Sequence, residues 1–509
     1  MGFNLHADNS NDPPEVRNWR VHFIALVVSM GALAMGYDTS VIGGTMALDP
    51  FRRDFGLARA SELETDTLEG NIVSTFQAGC FFGSLLTFPL AERFGRKMAI
   101  IIAISVFCVG GSLMKTSASG HLAVIYAGRV IAGFGIGSVS LQVPVYIAET
   151  SPPSIRGRLV GIFEICSQGG GMCGFWINYI VNRTISSARM AQWQVPLGLQ
   201  LLPGGLLLLG ILWCPETPRW YAKQDRWEEA ERSLTWIRKL PSNHPRIQAE
   251  IQEIREQILV GTPAAEIKYD LWYYVHRIWR KGTRNRIGIG LLLMAFQNLT
   301  GVNIITYYSP RIFETLGITG TDTKLFATGF YGIAKTLGMI IFSVWLVEKV
   351  GRRSGLIGGA FIGSLPMWYI GGYVFRADPA GAAARGDTTR SAAGYIVMGI
   401  TWVVCSEIFP IDIRMLCVAI TTADQWLWSF IISRTTPYMI TSLGYGTYFF
   451  FASLMVAMGF WAWWFIPETK GKSLEEMEAL FKTPSVVDHE WAANEKDQTK
   501  VTTSHIEMI

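Results

Sequence analysis

Two ionisable residues stand inside long apolar runs: Asp38 in GYDTSVIGG and Arg129 in YAGRVIAGFGIG. A lone charge in hydrocarbon is costly, so each must face a protein interior or water, and each offers the other a partner. A membrane acid that has its partner in one state and lacks it in another can carry a proton, released in the first state and held in the second. The same two residues also suit a static ion pair that fixes helix packing, and the sequence leaves both readings open. Gly133, Gly135 and Gly137 follow Arg129 at spacings of two, with no strand before them, so they read as points of close helix approach and not as a phosphate loop.

A second group is FQNLTGVNIITYY, where Gln297, Asn298, Asn303 and Tyr307 fall in one apolar run. On a regular helix Gln297 and Tyr307 lie about 80° apart, Asn298 sits beside Gln297, and Asn303 falls between faces. A helix facing lipid has no use for so many amides. They line a polar cavity or bond between helices, with Gln168 and Asn178 adding donors and acceptors and Trp402 an aromatic wall. Such amides suit a ligand covered in hydroxyls, because they meet it with donor and acceptor atoms alike.

The elements that position these residues are membrane spans. Of 509 residues, 50% are apolar and only 17% charged, with 52 Gly, 18 Trp and 28 Phe, which is far from a cytosolic composition. Runs able to cross a hydrocarbon core of about 30 Å occur near 20–43, 70–90, 98–116, 121–143, 157–179 and 195–213, then 286–308, 325–347, 354–374, 415–436 and 444–466. A twelfth candidate, Ala392 to Cys405, has about 14 residues and rises only about 21 Å. One charged hinge is written twice, AERFGRK at Ala91 to Lys97 and VEKVGRR at Val347 to Arg353, as expected of two parallel bundles related by an axis along the membrane normal.

The first run is too long for a cleavable signal and lacks a small-residue cleavage site, and MGFNLH lacks the Ser or Thr expected for myristoylation. Arg93, Arg96, Lys97, Arg156, Arg158, Lys349, Arg352 and Arg353 fall on one side if the spans alternate, which puts them, both termini and the long middle loop in the cytoplasm. In that loop DRWEEAERSLTWIRKL and IQAEIQEIREQI read as amphipathic helices that bracket the halves or carry a regulatory site. The charged tail past Phe481 reads as disordered. The seven cysteines form no ligand cluster, so neither a disulfide framework nor a metal site is expected. Asn182-Arg183-Thr184 is a glycosylation sequon on the outer side, whereas Asn298-Leu299-Thr300 lies within a span and is set aside.

Several motifs then occur in order: GYD at Gly36 to Asp38, RVIAGFGIG at Arg129 to Gly137, PVYIAETSPPSIRGR at Pro144 to Arg158, PETPRW at Pro215 to Trp220, QNLTGVNIITYY, SEIFP at Ser406 to Pro410 and PETKG at Pro467 to Gly471. On these the chain, from Trp19 to about Phe481, resembles the sugar porter branch of the major facilitator superfamily. WINYIVN at Trp176 to Asn182 and GITGTDT at Gly317 to Thr323 look most like fungal quinate permeases. The resemblance implies an all-α membrane protein of two six-helix bundles with a central site and alternating access. It implies that Arg93, Gly95, Arg96, Glu149, Arg158, Glu216, Arg219, Glu348, Arg352, Glu407, Arg414 and Glu468 form cytoplasmic networks that hold the outward-facing state and break as the bundles rock. It further implies that Asp38 and Arg129 couple protons, and that Gln168, Gln297, Asn298, Asn303 and Trp402 touch substrate.

Several departures qualify the match. Asn298 stands where the family usually has a second glutamine. Lys335, in YGIAKTLGM, stands where hexose porters carry a neutral amide; facing the cavity it would attract a carboxylate and favour quinate, and otherwise it is a packing feature. Gln194 after Trp193, and Glu92 and Glu348 in the two hinges, differ from the usual Arg and Asp. The tenth helix is shortened by roughly twenty residues against the family pattern, which a gene model that drops coding sequence, a defective transporter, or a re-entrant or borrowed segment would each explain; a squeezed crossing fits the charge rule better than a skipped one.

The expected organisation is an N-terminal segment 1–19, a first bundle 20–214, a cytoplasmic linker 215–285, a second bundle 286–470 and a tail 471–509. The expected activity is proton-coupled uptake of a polyhydroxylated small molecule, quinate before hexose or pentose, by a monomer in the plasma membrane. A non-transporting nutrient sensor is the alternative. No nucleophile or cofactor constellation accompanies the seven histidines, so no enzyme activity and no cofactor are expected, and the partners are substrate, protons and the lipid bilayer, with no nucleic acid.

Overall fold

The computed structural model describes residues 18–117, 120–152, 155–261, 279, 281–316, 318, 320–341, 352–377 and 414–466. Those residues are helical almost throughout, and they include eight helical spans long and apolar enough to cross a membrane, two of them made of two consecutive helices. The first half contains α1 (Trp19–Met46), the short α2 (Asp49–Asp54), α3 (Glu62–Phe94), α4 (Arg96–Thr116), α5 (Leu122–Thr150), α6 (Arg156–Thr184), and α7 (Ala191–Leu199) continued by α8 (Leu201–Ile211). Three polar-faced helices follow, α9 (Pro218–Lys223), α10 (Trp227–Arg238) and α11 (Pro245–Gly261). The second half contains α12 (Lys281–Leu299), α13 (Val302–Thr315), α14 (Thr321–Ile341), α15 (Arg352–Ala377), α16 (Arg414–Leu443) and α17 (Gly446–Phe465). The shortened tenth helix, with Trp402, lies outside the described residues.

Local chemistry sets the helix ends. Asn18 caps α1 by accepting from the Arg20 amide at 2.8 Å. At the start of α3, Ser61 and Glu64 cap one another, the Glu64 carboxylate accepting from the Ser61 amide at 2.9 Å. Helix α3 stops at Gly95, whose φ of +93° suits a residue without Cβ. Glycine also sets how closely α3 and α5 approach: a Cβ on Gly133 would fall 2.1 Å from the Phe76 carbonyl oxygen, and one on Gly137 2.1 Å from that of Cys80. The close approach read from RVIAGFGIG is therefore made against α3, with Gly135 turned to α4.

The first half has a continuous apolar core that also takes in Tyr307, Tyr308 and Trp426 from the second half. A separate core built on Ile304, Ile312, Met367, Phe451 and Met455 serves the second half. The halves meet most extensively along α3 against α16 and α6 against α14, with α1 against α13 and α5 against α16 adding further contacts. On the outer surface Leu202, Leu206 and Leu209 of α8 are exposed, and Trp213 and Trp464 at span ends are 78% exposed, a pattern that faces lipid and its interface. Helix α10 buries Ala230, Leu234 and Ile237, and it is tied to α1 where Arg20 donates to the Trp236 carbonyl at 2.8 Å.

One feature of the seventh span departs from a regular helix. The apolar run Arg284–Thr315 is broken between α12 and α13 at Thr300 and Gly301, where Gly301 has φ +77°. The angular spacing expected of Gln297, Asn303 and Tyr307 on one unbroken helix does not apply, because a left-handed glycine re-aims everything after it.

Candidate functional site

Asp38 on α1 and Arg129 on α5 meet in the interior of the first half. Arg129 Nη1 donates to Asp38 Oδ2 at 3.0 Å and Oδ1 at 3.2 Å, and both side chains have no exposed surface. Arg129 has further contacts on α3 that do not involve the acid: Nε donates to the Ile72 carbonyl at 3.1 Å, and the guanidinium lies 4.4 Å from the centroid of the Phe76 ring. Its Nη2 has no hydrogen-bond partner among the described residues. Arg129 is thus held on α3 by contacts that do not depend on Asp38.

The next residue on α3, Gln77, is fully buried and faces the second half. With its amide oriented to satisfy both ends, its oxygen accepts from the Tyr307 hydroxyl at 3.1 Å while its nitrogen donates to the carbonyls of Val73 and Ser74. Tyr307 is 3% exposed and packs in the first half's core, so it joins the halves instead of standing open in a cavity. The stretch of α3 from Ile72 to Gln77 therefore touches Arg129 through Ile72 and Phe76 and the second half through Gln77.

The break at Gly301 draws the amides of the seventh span together. Asn298 donates to the Met294 and Gln425 carbonyls at 3.0 and 3.1 Å, and its oxygen accepts from Asn303 at 2.6 Å. Gln297 is different: its side-chain oxygen is buried with no hydrogen-bond partner among the described residues. A buried amide oxygen with an open valence is the kind of group a hydroxylated ligand satisfies. Gln168 contributes its backbone carbonyl, which accepts from Thr336 at 3.1 Å across the α6–α14 seam. Lys335, beside Thr336, turns its ammonium to the Thr306 hydroxyl of α13 at 3.3 Å.

At one membrane face Gly95, Arg96, Glu149 and Glu216 converge. Arg96 is 1% exposed, donates to Glu92 at 2.9 Å and lies 3.3 Å from Glu149. Glu216 receives the amides of Arg96, Lys97 and Thr217 at 3.0, 2.9 and 2.9 Å. A Cβ on Gly95 would fall 2.2 Å from Glu216 Oε2, so only glycine lets that carboxylate reach the start of α4. Burial pushes the Glu216 carboxyl above its ordinary range, against the pull of the Thr217 and Lys97 amides. Arg93, Arg158 and Arg219, expected in the same network, make no ion pair with any described residue. Glu348, Glu407 and Glu468 lie outside the described residues, as do the side chains of Arg352 and Arg414.

The ion pairs that join the halves lie at the other end of α3. Arg311 of α13 pairs with Asp66 and, at 3.0 Å, with Glu69, while Thr441 of α16 donates to Asp66 at 2.7 Å. Arg434 adds a bond to the Thr67 carbonyl at 3.2 Å, and Arg183 of α6 pairs with Asp322 of α14 at 3.2 Å. Asp66 and Glu92 are separated by about 39 Å of helix, so the two clusters mark opposite membrane faces.

Sequence reasoning missed Gln77, Asp66, Glu69, Arg311, Glu164 and Asp424. The last two carried the signal that singled out Asp38, an acid inside an apolar run; Asp424 Oδ2 is buried with no hydrogen-bond partner among the described residues. Asp66, Glu69 and Arg311 gave none, because charge at a span end is ordinary.

Comparison with known proteins places this architecture. The family model described as "Sugar (and other) transporter" matches residues 24–481. The quinate permease of Neurospora africana is 42% identical over 491 residues, covering 93% of this chain and 91% of that one. The probable quinate permease of Aspergillus niger is 40% identical over 499 residues, covering 95% and 91%. Among solved structures, the xylose transporter XylE from E. coli in a partially occluded inward open conformation superimposes with a TM-score of 0.71 at 27% identity, over 90% of this chain and 100% of that one. The proton:xylose symporter XylE bound to 6-bromo-6-deoxy-D-glucose gives 0.73 at 28% identity, over 91% and 99%. These relatives are permeases and transporters, not enzymes. The chain belongs to the sugar (and other) transporter family, and it is a multi-pass membrane transporter with the major facilitator fold.

Proposed function

We propose that this chain is a proton-coupled importer of quinate or a close hydroxylated acid. The observation that carries the substrate is Lys335 at the α6–α13–α14 junction, a cation where a site for hydroxyls alone needs none, in a chain similar to quinate permeases. The amides of Gln297, Asn298 and Asn303, with Trp402, take the ring hydroxyls, and Lys335 takes the carboxylate. Gln168 and Tyr307 hold the seams beside them.

Coupling begins at Asp38. External protonation breaks its bond to Arg129, and the freed arginine, still tied to Ile72 and Phe76, changes its pull on the turn of α3 that carries Gln77. Substrate closes the outer ends of the halves, where Arg311 bridges to Asp66 and Glu69, and the cytoplasmic network of Arg93, Gly95, Arg96, Glu149, Arg158, Glu216, Arg219, Glu348, Arg352, Glu407, Arg414 and Glu468 opens. Weak pairs become decisive when they differ between two states of nearly equal energy. In this reading a monomer works in the plasma membrane with both termini in the cytoplasm, and 20–214 and 286–470 are the moving bundles.

A neutral hexose or pentose is the second reading, favoured by the amide cluster and the likeness to a xylose symporter. Uptake of labelled quinate, glucose and xylose by transporter-deficient yeast making the full chain, with and without a protonophore, separates the two. Protonophore-sensitive quinate accumulation is expected; concentrative sugar uptake without quinate uptake would overturn the acid reading.

A further inference from the structure

Glu164 belongs to no motif and to no hinge, yet it lies within α6 one turn before Gln168. The carbonyl of Gln168 accepts from Thr336 at 3.1 Å, which fixes the register of α6 on α14 at this depth. Lys335 neighbours Thr336 in sequence and donates to Thr306 of α13 at 3.3 Å. Across the seam the charges of Glu164 and Lys335 act on one another. The two do not close to a direct ion pair, and Glu164 makes no hydrogen bond with any described residue. An acid on α6 and a base on α14 thus come from opposite halves to one stretch of the seam, the one marked by the bond from Thr336 to the Gln168 carbonyl, without closing on one another.

We propose that Glu164 is the resident counter-ion of Lys335: it neutralises the lysine when the site is empty and gives way to the substrate's carboxylate when the site is filled. The proposal rests on the quinate reading above. An unpaired ammonium in a closing, water-poor cavity is expensive, so the empty carrier needs Glu164 to bring its halves together and return. A carboxylate ligand replaces that partner, and Glu164 is then left to water or to a proton. Glu164 is accordingly a specificity-determining residue. It lowers affinity for anions by competing for Lys335, and it lets the empty site reorient, which a site tuned only for tight binding would not do.

Two quantities test this on the full chain in proteoliposomes and nanodiscs: the quinate Kd, and the ratio of quinate exchange to net uptake. Glu164→Gln is expected to lower the Kd by about fivefold or more, the low end of coupling between sites, and to raise the exchange-to-net ratio, because the loaded carrier still moves while the empty one stalls. In a Lys335→Gln background the same substitution is expected to leave the Kd within twofold, a loss of coupling that a packing role for Glu164 does not produce. Glu164→Asp, which keeps the charge, is the second variant, and its quinate Kd should stay at least about threefold above that of E164Q. Wild-type quinate binding with a Kd and ratio unmoved by E164Q, or E164D behaving as E164Q, would overturn the counter-ion proposal while leaving the substrate reading intact. A wild-type chain that binds xylose but not quinate would overturn the substrate reading, and the counter-ion proposal with it.

Discussion

Replacing Arg311 with Gln should open the outer face. Arg311 reaches from α13 to α3, donating to Asp66, to Glu69 at 3.0 Å and to Thr441 at 2.9 Å. Its side chain is 24% exposed, those of Asp66 and Glu69 1% and 9%. With Gln at 311 two buried carboxylates share one remaining cation, Arg52, 3.7 Å from Glu69. Removing one partner of a buried ion pair costs about 3–5 kcal/mol; the partial exposure of Arg311 and the surviving Arg52 and Thr441 contacts bring this to about 2–3 kcal/mol. The cost falls on the state with its outer ends together, since the carboxylates rehydrate when the ends part. The closed-to-open ratio then drops by about 30- to 160-fold. Spin labels at Ser61, which caps α3, and Ser442 of α16, both exposed, report the gap by electron–electron double resonance once the native cysteines are removed. R311Q should shift the distance distribution outward. A folded variant with an unchanged distribution would show that these pairs do not hold the outer face closed.

Gly95→Ala puts a Cβ 2.2 Å from Glu216 Oε2 at φ +93°, and is expected to lower stability by about 1–3 kcal/mol, read as a fall in melting temperature. At Glu216 the raised carboxyl means that the folded chain holds this proton more tightly than the unfolded one. Its contribution to stability is complete below the ordinary carboxylate range and is lost as pH rises through the raised value, so the fall in stability on raising pH above the ordinary carboxylate range should flatten in Glu216→Gln. Lys335→Asn should cut quinate kcat/KM about tenfold or more while changing neutral sugar uptake less; equal losses would assign Lys335 to packing.

What was legible in the residues follows from how each signal is made. Asp38 and Arg129 stood out because a charge in an apolar run has few innocent explanations, and they meet at 3.0 Å. The glycines after Arg129 announced close packing, since nothing else on that stretch asks for three missing side chains. The break at Gly301 was hidden because the run on either side stays apolar, and composition does not register a left-handed residue. The motif-based reading drew attention to Gln168, and the geometry shows its carbonyl as a seam contact with Glu164 one turn away. Gln77 was unreadable from α3 alone, because its importance comes from Tyr307, a residue 230 positions distant that only the folded chain brings near.

The most direct measurement is concentrative quinate uptake by wild type and Asp38→Asn at equal surface expression, alongside quinate exchange in proteoliposomes. Wild type should accumulate quinate above the external level in a protonophore-sensitive way, and D38N, with no carboxylate to protonate, should exchange quinate yet only equilibrate it. Accumulation by D38N would contradict the placement of the proton at Asp38.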